Sequence, residues 1–203
     1  MLTLNANDAV SQALAEEMRR DPRVLMFGEG VATKRPELRR VFGDARVRNT
    51  PLAEGIIAGA AVGAAAMGLR PVIDLLFAPF MTLSMDALVN SAGKLRHLSG
   101  GQFEFPMVVL ALTGSGWCVG AQHNHNLEAM FVHAPGLKVV MPSSPADFKG
   151  LLKSAIRDPN PVIFLENEIL YGHSFECPTD PDFVLPIGRA KVERVGRHVT
   201  IVA

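Results

Sequence analysis

The chain has 203 residues with 20 basic and 20 acidic side chains, and 48% of its residues are hydrophobic. Such a chain is long enough for one large domain with a sizeable core, and it lacks the surplus positive charge that nucleic-acid binding needs. Its longest apolar run, from Ile56 to Leu69, is shorter than the roughly 20 residues of a membrane span. We therefore expect neither a nucleic acid nor a membrane as a partner.

The N-terminal sequence and the cysteines bear on where the chain works. The first residues, MLTLNANDAV, lack the basic and apolar regions of a secretory signal. Two cysteines, Cys118 and Cys177, form neither a metal-binding spacing nor a disulfide framework. The sequence therefore predicts a reducing, cytoplasmic setting.

Helices and short apolar segments alternate along the chain. Asn7 is predicted to cap the first helix, and Ser144, followed by Pro145, is predicted to cap the last. In chain order we predict a helix to Arg20, a strand at 24–27, a charged loop with one short helix, a strand at 45–47, a helix from Glu54, a strand in RPVIDLLF, a long helix over 80–97, a strand in FPMVVLALTG, a helix over 127–133, a strand in LKVVMP, a helix to about Asp158 and a strand in PVIFLE. This order predicts an α/β fold of three layers, α/β/α, around a mostly parallel sheet.

The C-terminal stretch differs from the rest of the chain. After the proline-rich segment CPTDPDFVLP, the sequence AKVERVGRHVTIVA contains two strand-like pieces. We assign residues 1–185 to one domain. Residues 186–203 are predicted to be a linker and the first strand or strands of a C-terminal domain that is missing or encoded separately.

The stretch TPLAEGIIAGAAVGAAAMGLRP, from Thr50 to Pro71, predicts a helix that another surface approaches closely. Gly55, Gly59 and Gly63 are four residues apart and so share one face, although each glycine costs the helix roughly 1 kcal/mol relative to alanine. Glycine- and alanine-rich helices are more often simply buried. Glu54, however, places a carboxylate at the start of an apolar helix, where it can exchange a proton with a ligand.

Four stretches together carry a resemblance to one enzyme family. They are TPLAEGIIAGAAVGAAAMGLRP, AQHNHN, HAPGLKVVMPSSPADFKGLLKSAIRD and PVIFLENEILYG. In this order they resemble the beta subunit of the thiamine-diphosphate-dependent decarboxylating component of 2-oxo acid dehydrogenase complexes, the group of pyruvate, branched-chain and acetoin enzymes. The resemblance spans nearly the whole chain and implies the family's pyrimidine-binding domain, the thiamine diphosphate-binding fold.

The resemblance implies roles for three residues at the cofactor. In the family, a glutamate beside the pyrimidine ring nitrogen promotes the tautomer that removes the thiazolium proton, and Glu54 matches this glutamate. Leu52 and Phe80 match positions that contact the pyrimidine ring, Phe80 by stacking. A lone phenylalanine at such a place is more often part of the core, so Phe80 is assigned by its place in the motif set.

The resemblance also implies a catalytic histidine and a cation site. His123, in AQHNHN, matches an active-site histidine that meets the substrate or the lipoyl arm, whereas the role of His125 stays open. A potassium ion held mainly by backbone carbonyls is implied by matching positions. These are Met107, Ala155, Ile156, Asp158 and Asn160. The sequence GEG at residues 28–30 lacks the aspartate of the thiamine-enzyme magnesium motif, so no magnesium site is assigned to this chain.

Three departures affect the substrate-reading part of the family pattern. The loop after GEGV is several residues shorter than in the family. Where many members have an arginine after the strand ending at Ala111, this chain reads LTGSGWCVG. Leu83 replaces a polar glutamine found in relatives of the pyruvate type. The particular 2-oxo acid is therefore left open.

The resemblance implies a beta-type subunit of a thiamine-diphosphate-dependent 2-oxo acid dehydrogenase that works only with a partner. An alpha-type subunit is expected to carry the diphosphate and Mg²⁺ half of the site, in a heterotetramer that docks on a lipoyl acyltransferase core. One alternative is a split transketolase-like or acyloin-forming enzyme, which the altered loop favours. A second is a noncatalytic assembly subunit, against which Glu54 argues.

Overall fold

A parallel sheet of six strands forms the centre of the chain in the computed structural model, which describes residues 1–114 and 116–202. Its strands are β2 (Val24–Gly28), β3 (Val47–Asn49), β4 (Arg70–Phe77), β5 (Val108–Thr113), β6 (Lys138–Val140) and β7 (Val162–Asn167). Their spatial order is β3-β2-β4-β5-β7-β6, and every neighbouring pair is parallel. The strands β4, β5 and β7 are near-continuous apolar runs and are almost wholly buried. This is expected for a parallel sheet that is covered on both faces.

Helices cover both faces of the sheet. They are α1 (Ala6–Arg20), α2 (Val31–Lys34), α3 (Pro36–Phe42), α4 (Glu54–Ala66), α5 (Gly93–Leu98), α6 (Glu128–Val132) and α7 (Pro145–Arg157). One buried hydrophobic cluster includes residues of α1, α3 and α7. A second includes residues of α4, of α6 and of the chain between β4 and α5. The predicted three-layer α/β/α fold is confirmed.

The start and stop of α4 agree with the sequence prediction. The helix begins at Glu54 and ends at Ala66, and Gly68 then takes a φ of +84°. Gly68 N–H donates to the Ala65 carbonyl, and Leu69 N–H to the Ala64 carbonyl. A glycine in this left-handed conformation ends the helix without the steric cost that a side chain would bring.

The single long helix predicted over residues 80–97 is wrong. The chain instead forms a 3-10 segment (Ala78–Ser84), a π-helical segment (Asp86–Ala92) and then α5. Pro79 stands at the start of this region, and the Thr82 hydroxyl donates to the Pro79 carbonyl, so a side chain competes with regular helical bonding. Tight and wide turns of this kind occur often beside functional sites.

Other local predictions are also corrected. The cap of α1 is Asn5, whose side chain accepts from Asp8 N–H, and not Asn7. The charged segment after Gly30 contains two helices, α2 and α3, where one was expected. A separate antiparallel pair joins β1 (Leu2–Asn5) to β8 (Ser174–Cys177), and the sequence analysis identified neither strand.

Residues 186–202 contain no strand, although two strand-like pieces were predicted there. Most of these residues are exposed. A strand needs a neighbour for its backbone N–H and C=O groups, and none pairs with this stretch in the described chain. That these residues lead to a further domain stays a prediction.

Across residues 1–114 and 116–202, no helix combines the length and the apolar character that crossing a membrane requires.

Candidate active site

The carboxyl ends of the central strands bring polar side chains together. Glu29 directly follows β2, Asp74 lies near the end of β4, Thr113 ends β5, and Glu166 lies at the end of β7. All four are buried. In open parallel sheets, ligands bind beyond this edge, so these side chains mark the candidate active site.

Gly28 allows β2 and β4 to approach closely at this edge. Its φ is +148°, and a Cβ atom there would lie 2.2 Å from the Asp74 carbonyl oxygen. The next residue, Glu29, donates its N–H to that same oxygen over 3.1 Å. Only glycine fits this approach, which fixes Glu29 beside Asp74.

Glu54 is the first residue of α4 and is half-buried. Ala53, at the N-cap position, makes no side-chain cap, so the carboxylate of Glu54 is the one negative charge at the positive end of the helix dipole. Thr50 N–H donates to the Gly28 carbonyl over 3.0 Å, which ties the segment before Glu54 to the end of β2. The fold therefore places Glu54 next to the acidic edge of the sheet.

Glu29 is a buried acid that the sequence analysis missed. It is 5% exposed, and neither oxygen of its carboxyl group makes a hydrogen bond of normal geometry. Burial, followed by the negative charges of Glu54 and Asp74, raises the pKa of Glu29 to about 7, whereas Lys34 opposes this effect. Glu29 can therefore hold or release a proton near neutral pH, close to Glu54.

Glu29→Gln should stabilise the folded chain at alkaline pH. The folded pKa of about 7 lies above the unfolded value of 4.5, so the free energy of unfolding of the parent falls as pH rises through this window. At most about 3.5 kcal/mol is lost between pH 4.5 and 7, because the pKa shift is about 2.5 units and one unit corresponds to about 1.4 kcal/mol. Urea unfolding from pH 4 to 8 measures the difference. The exposed Glu37→Gln variant is the control, and parallel curves for Glu29→Gln and the parent would contradict the buried-acid assignment.

His123 lies between two aromatic rings. Its imidazole centroid is 4.9 Å from the Phe77 ring and 5.1 Å from the Phe80 ring, both in edge-to-face arrangements. Phe80, in the 3-10 segment, is half-buried and lies 6.1 Å from Phe77. The structure thus brings together His123 and Phe80, which the resemblance had assigned separately, and adds Phe77.

Hydrogen bonds from the ends of β5 and β7 hold the histidine-containing loop. The Thr113 hydroxyl donates to the His125 carbonyl and to Asn126 Oδ1, and Asn124 Nδ2 donates to the Gly114 carbonyl. Glu168 Oε2 accepts from Trp117 N–H over 2.9 Å. Thr113 belongs to the segment LTGSGWCVG, in which the resemblance had led us to expect an arginine. The side chain of His125 is exposed, so its role stays open.

A network of charged side chains lines a cavity at the same edge of the sheet. Lys34 Nζ is 2.5 Å from Asp74 Oδ2, and Tyr171 donates its hydroxyl to Glu166. Burial raises the pKa of Glu166, which the Arg35 guanidinium opposes, and burial also raises the pKa of Tyr171. A cavity of about 110 Å³ adjoins these groups and the side chain of Trp117.

One side of the site is open. Leu52 is 77% exposed and Leu83 is 65% exposed. Gly55, beside Glu54, lies against the 3-10 segment, since a Cβ atom there would be 3.1 Å from the Leu83 carbonyl oxygen. Leu52, Glu54 and Phe80 therefore lie on or near an exposed surface of the chain.

The residues predicted to bind a cation lie at the C-terminal end of α7 and just before β5 and β7. This is the opposite edge of the sheet from the candidate active site. Asp158 caps this helix, and its carboxylate accepts from Asn160 N–H and lies 2.5 Å from Lys138 Nζ. The Ile156 carbonyl accepts from the Arg70 guanidinium over 2.8 Å. Met107 adjoins this turn, because its carbonyl accepts from Val162 N–H. Helix C-terminal carbonyls and a carboxylate are suitable ligands for a hard cation, but a bound ion would share them with Arg70 and Lys138.

Residues 3–173 match the family model described as transketolase, pyrimidine binding domain. The pyruvate dehydrogenase E1 component subunit beta of Rhizobium meliloti (strain 1021) is 48% identical over 209 residues, which is 100% of this chain and 45% of that protein. The mitochondrial subunit of the same name from Caenorhabditis elegans is 47% identical over 99% of this chain and 60% of its own length. The corresponding Bos taurus subunit is 44% identical, with coverages of 100% and 59%. The chain spans about half the length of the curated relatives it matches.

Solved structures share the fold. A split-gene transketolase, described as an inactive beta4 tetramer, superimposes with a TM-score of 0.73 at 20% identity, over 92% of this chain and 57% of that chain. The transketolase from Leishmania mexicana superimposes with a TM-score of 0.65 at 18% identity, over 81% of this chain and 25% of that chain. These likenesses show the fold.

Proposed function

The chain belongs to the transketolase pyrimidine-binding domain family, and from that premise we propose that it is a beta-type subunit of a thiamine-diphosphate-dependent 2-oxo acid dehydrogenase. The observation that carries the proposal is a half-buried carboxylate, Glu54, at a helix start beside the exposed Leu52 and near the half-buried ring of Phe80. Its relatives named pyruvate dehydrogenase E1 component subunit beta support the same assignment.

The residues of the open surface fit the aminopyrimidine half of thiamine diphosphate. An aromatic ring with a hydrogen-bonding edge needs a flat apolar neighbour and an acid, and Phe80, Leu52 and Glu54 offer both. The surplus of carboxyl groups at Glu29, Glu54 and Asp74, partly balanced by Lys34, favours a ligand that carries a proton. When bound, the cofactor supplies a carbon nucleophile through its thiazolium ring.

Different residues of the chain would then have different roles at the cofactor and the substrate. Glu54 would exchange a proton with the pyrimidine ring nitrogen, and Phe80 and Leu52 would orient the ring. The neighbouring Glu29, with a pKa of about 7, would keep the local negative charge low near neutral pH. His123, held between Phe77 and Phe80, would face the substrate and donate or accept a proton there.

A partner subunit is part of this proposal. We infer an alpha-type subunit that carries the diphosphate and Mg²⁺, a heterotetramer of the two chains, and docking on a lipoyl acyltransferase core. We also retain the cytoplasmic setting as a proposal, although the Caenorhabditis elegans and Bos taurus relatives are mitochondrial. Potassium at Met107, Ala155, Ile156, Asp158 and Asn160 is likewise a proposal.

Calorimetric titration with thiamine diphosphate and Mg²⁺ tests the shared site. We expect weak or undetectable binding to the isolated chain, because it lacks a sequence like the metal–diphosphate cradle, and tight binding once the chain is co-purified with the product of its neighbouring gene. Repeating the titration of the complex with sodium in place of potassium tests the cation site, where we expect weaker binding. Tight Mg²⁺-dependent binding to the isolated chain would contradict the two-subunit site.

A split transketolase-like or acyloin-forming subunit is the second candidate. The observations that favour it are the altered loop after GEGV and the segment LTGSGWCVG, which lacks the arginine that many family members have there. Product analysis separates the two candidates. A transketolase-like or acyloin-forming enzyme yields a product with a new carbon–carbon bond, whereas a dehydrogenase component transfers an acyl group to a lipoyl acceptor.

A further inference from the structure

The end of β4 contains an irregularity that the proposed mechanism does not use. Asp74 pairs with Leu110 and Phe77 pairs with Leu112, so β4 advances by three residues where β5 advances by two. Within this bulge, Leu76 has a φ of +66°, in the left-handed region that a leucine rarely adopts. Such backbone strain persists only where surrounding contacts hold it.

Asp74 makes those contacts with both of its carboxylate oxygens. Oδ1 accepts from Leu76 N–H over 2.9 Å, and Oδ2 lies 2.5 Å from Lys34 Nζ. The Asp74 carbonyl is fixed as well, since it accepts from Glu29 N–H. The carboxylate thus connects the bulge directly to α2, whose last residue is Lys34.

The residue that follows the bulge is Phe77, which is 8% exposed. Its ring lies against His123 and also 6.4 Å from Trp117. Lys34 is therefore linked to His123 through Asp74, the bulge at Leu76, and Phe77. A change in the bulge would move the ring that supports one side of the imidazole.

Lys34 is the cation that pairs with the Asp74 carboxylate among the acidic groups at this edge of the sheet. Asp74 faces Glu29 and Glu166, and its negative charge raises the pKa of both. The other nearby cation, Arg35, already donates to Asn7 and Ser11. Without Lys34, Asp74 would be left among two carboxyl groups, and the adjoining cavity of about 110 Å³ gives its side chain room to turn away from Leu76.

We propose that the Lys34–Asp74 ion pair is a positioning device that holds the strained bulge of β4 and thereby keeps Phe77 against His123. Lys34 and Asp74 are positioning residues that act through Phe77. The part of this inference that concerns turnover rests on the proposed function, whereas the structural part does not.

Trp117 provides a direct readout, because it is the sole tryptophan of the chain and its ring contacts Phe77. Trp117 is already 49% exposed, so in Lys34→Met we expect a red-shifted emission and an increase of up to about twofold in quenching by acrylamide. Lys34→Arg should restore values near those of the parent. Lys191→Met, which breaks an exposed ion pair with Glu193, is the matched control and should not change the emission. Unchanged emission in Lys34→Met, or equal changes in the Met and Arg variants, would overturn the proposal.

Leu76→Gly gives a second test that removes the strain itself. Glycine adopts a φ of +66° readily, so Lys34→Met should change the emission of Trp117 less in the Leu76→Gly background than in the parent. Far-UV circular dichroism checks the fold of each variant. If Lys34→Met folds only in the Leu76→Gly background, this result would also support the proposal, because it would show that the ion pair is needed to hold the strained backbone at Leu76. Equal emission changes in the two backgrounds would show that the ion pair does not hold the bulge, and would overturn the proposal.

In the complex with its partner subunit, Lys34→Met should lower kcat about tenfold or more with a smaller change in KM, because a displaced His123 affects the reaction more than binding. Proton exchange at the thiazolium carbon, which depends on Glu54, should fall less than kcat. A parent complex without activity would contradict the proposed function, but the fluorescence result would still decide the positioning role.

Discussion

Replacing Glu54 with glutamine should slow proton exchange at the thiazolium carbon by about 10²–10⁴-fold in the reconstituted complex, the range of a general acid–base group. The amide is nearly the same shape as the carboxylate, so fold, assembly and most of the cofactor affinity should remain. An amide does not exchange a proton with the ring nitrogen as a carboxylate does. Exchange measured by NMR in deuterated buffer reports activation regardless of which 2-oxo acid is used.

His123→Ala is the control for this prediction. Because His123 lies with Phe77 and Phe80 and is assigned to the substrate, its loss should leave thiazolium exchange largely intact and slow only later steps. A Glu54→Gln complex that exchanges the proton as fast as the parent would refute the catalytic role. The noncatalytic assembly subunit would then be the better reading of this chain.

The place of Glu54 and the central strands depend on features that the sequence displays locally. Glu54 is followed by an uninterrupted helical pattern and a glycine stop, so its place at a helix start was predictable. The buried strands β4, β5 and β7 were equally predictable, because their continuous apolar runs are typical of a parallel sheet. Local pattern was therefore sufficient for the fold class and for the place of the proposed general acid–base group.

The parts that were missed depend on contacts between distant residues. The sequence GEG around Glu29 does not indicate a raised pKa, which arises from burial and from the negative charges of Glu54 and Asp74. Its position directly after β2 was the one available signal, since acids at the carboxyl ends of parallel strands converge. Lys34 and Asp74 are 40 residues apart, and no local pattern pairs them.

The broken helix after β4 shows why periodicity failed there. Residues 78–98 are mostly apolar or small, which favoured one continuous helix, but Pro79, Thr82 and the bulge before them impose a different path. The altered path is what brings Phe80 to His123. Sequence reasoning was therefore least accurate at the part of the chain where local regularity gives way to the site.

Gly59→Leu should prevent assembly of the complex while leaving the chain folded. A Cβ atom on Gly59 or Gly63 would have no neighbour within 4 Å outside the helix's own backbone, whereas Gly55 lies against the Leu83 carbonyl, so α4 is open at Gly59 and Gly63. Leucine is a better helix former than glycine by up to about 1 kcal/mol, so the chain's melting temperature should stay the same or rise. If a second subunit packs closely on this face, each added side chain should cost about 1–3 kcal/mol or more, since overpacking displaces the partner.

Sedimentation velocity decides the outcome for Gly59→Leu. Each 1.4 kcal/mol lost from the binding free energy weakens association tenfold. The variant should therefore sediment as separate subunits at concentrations where the parent forms a complex. Gly59→Ala should give an intermediate result, because a methyl group is a smaller obstacle. Gly172→Leu is the matched control, since Gly172 also has open space around it but lies outside α4. A Gly59→Leu variant that still assembles like the parent would show that no subunit contacts this face, and the close approach predicted from the glycine spacing would be wrong.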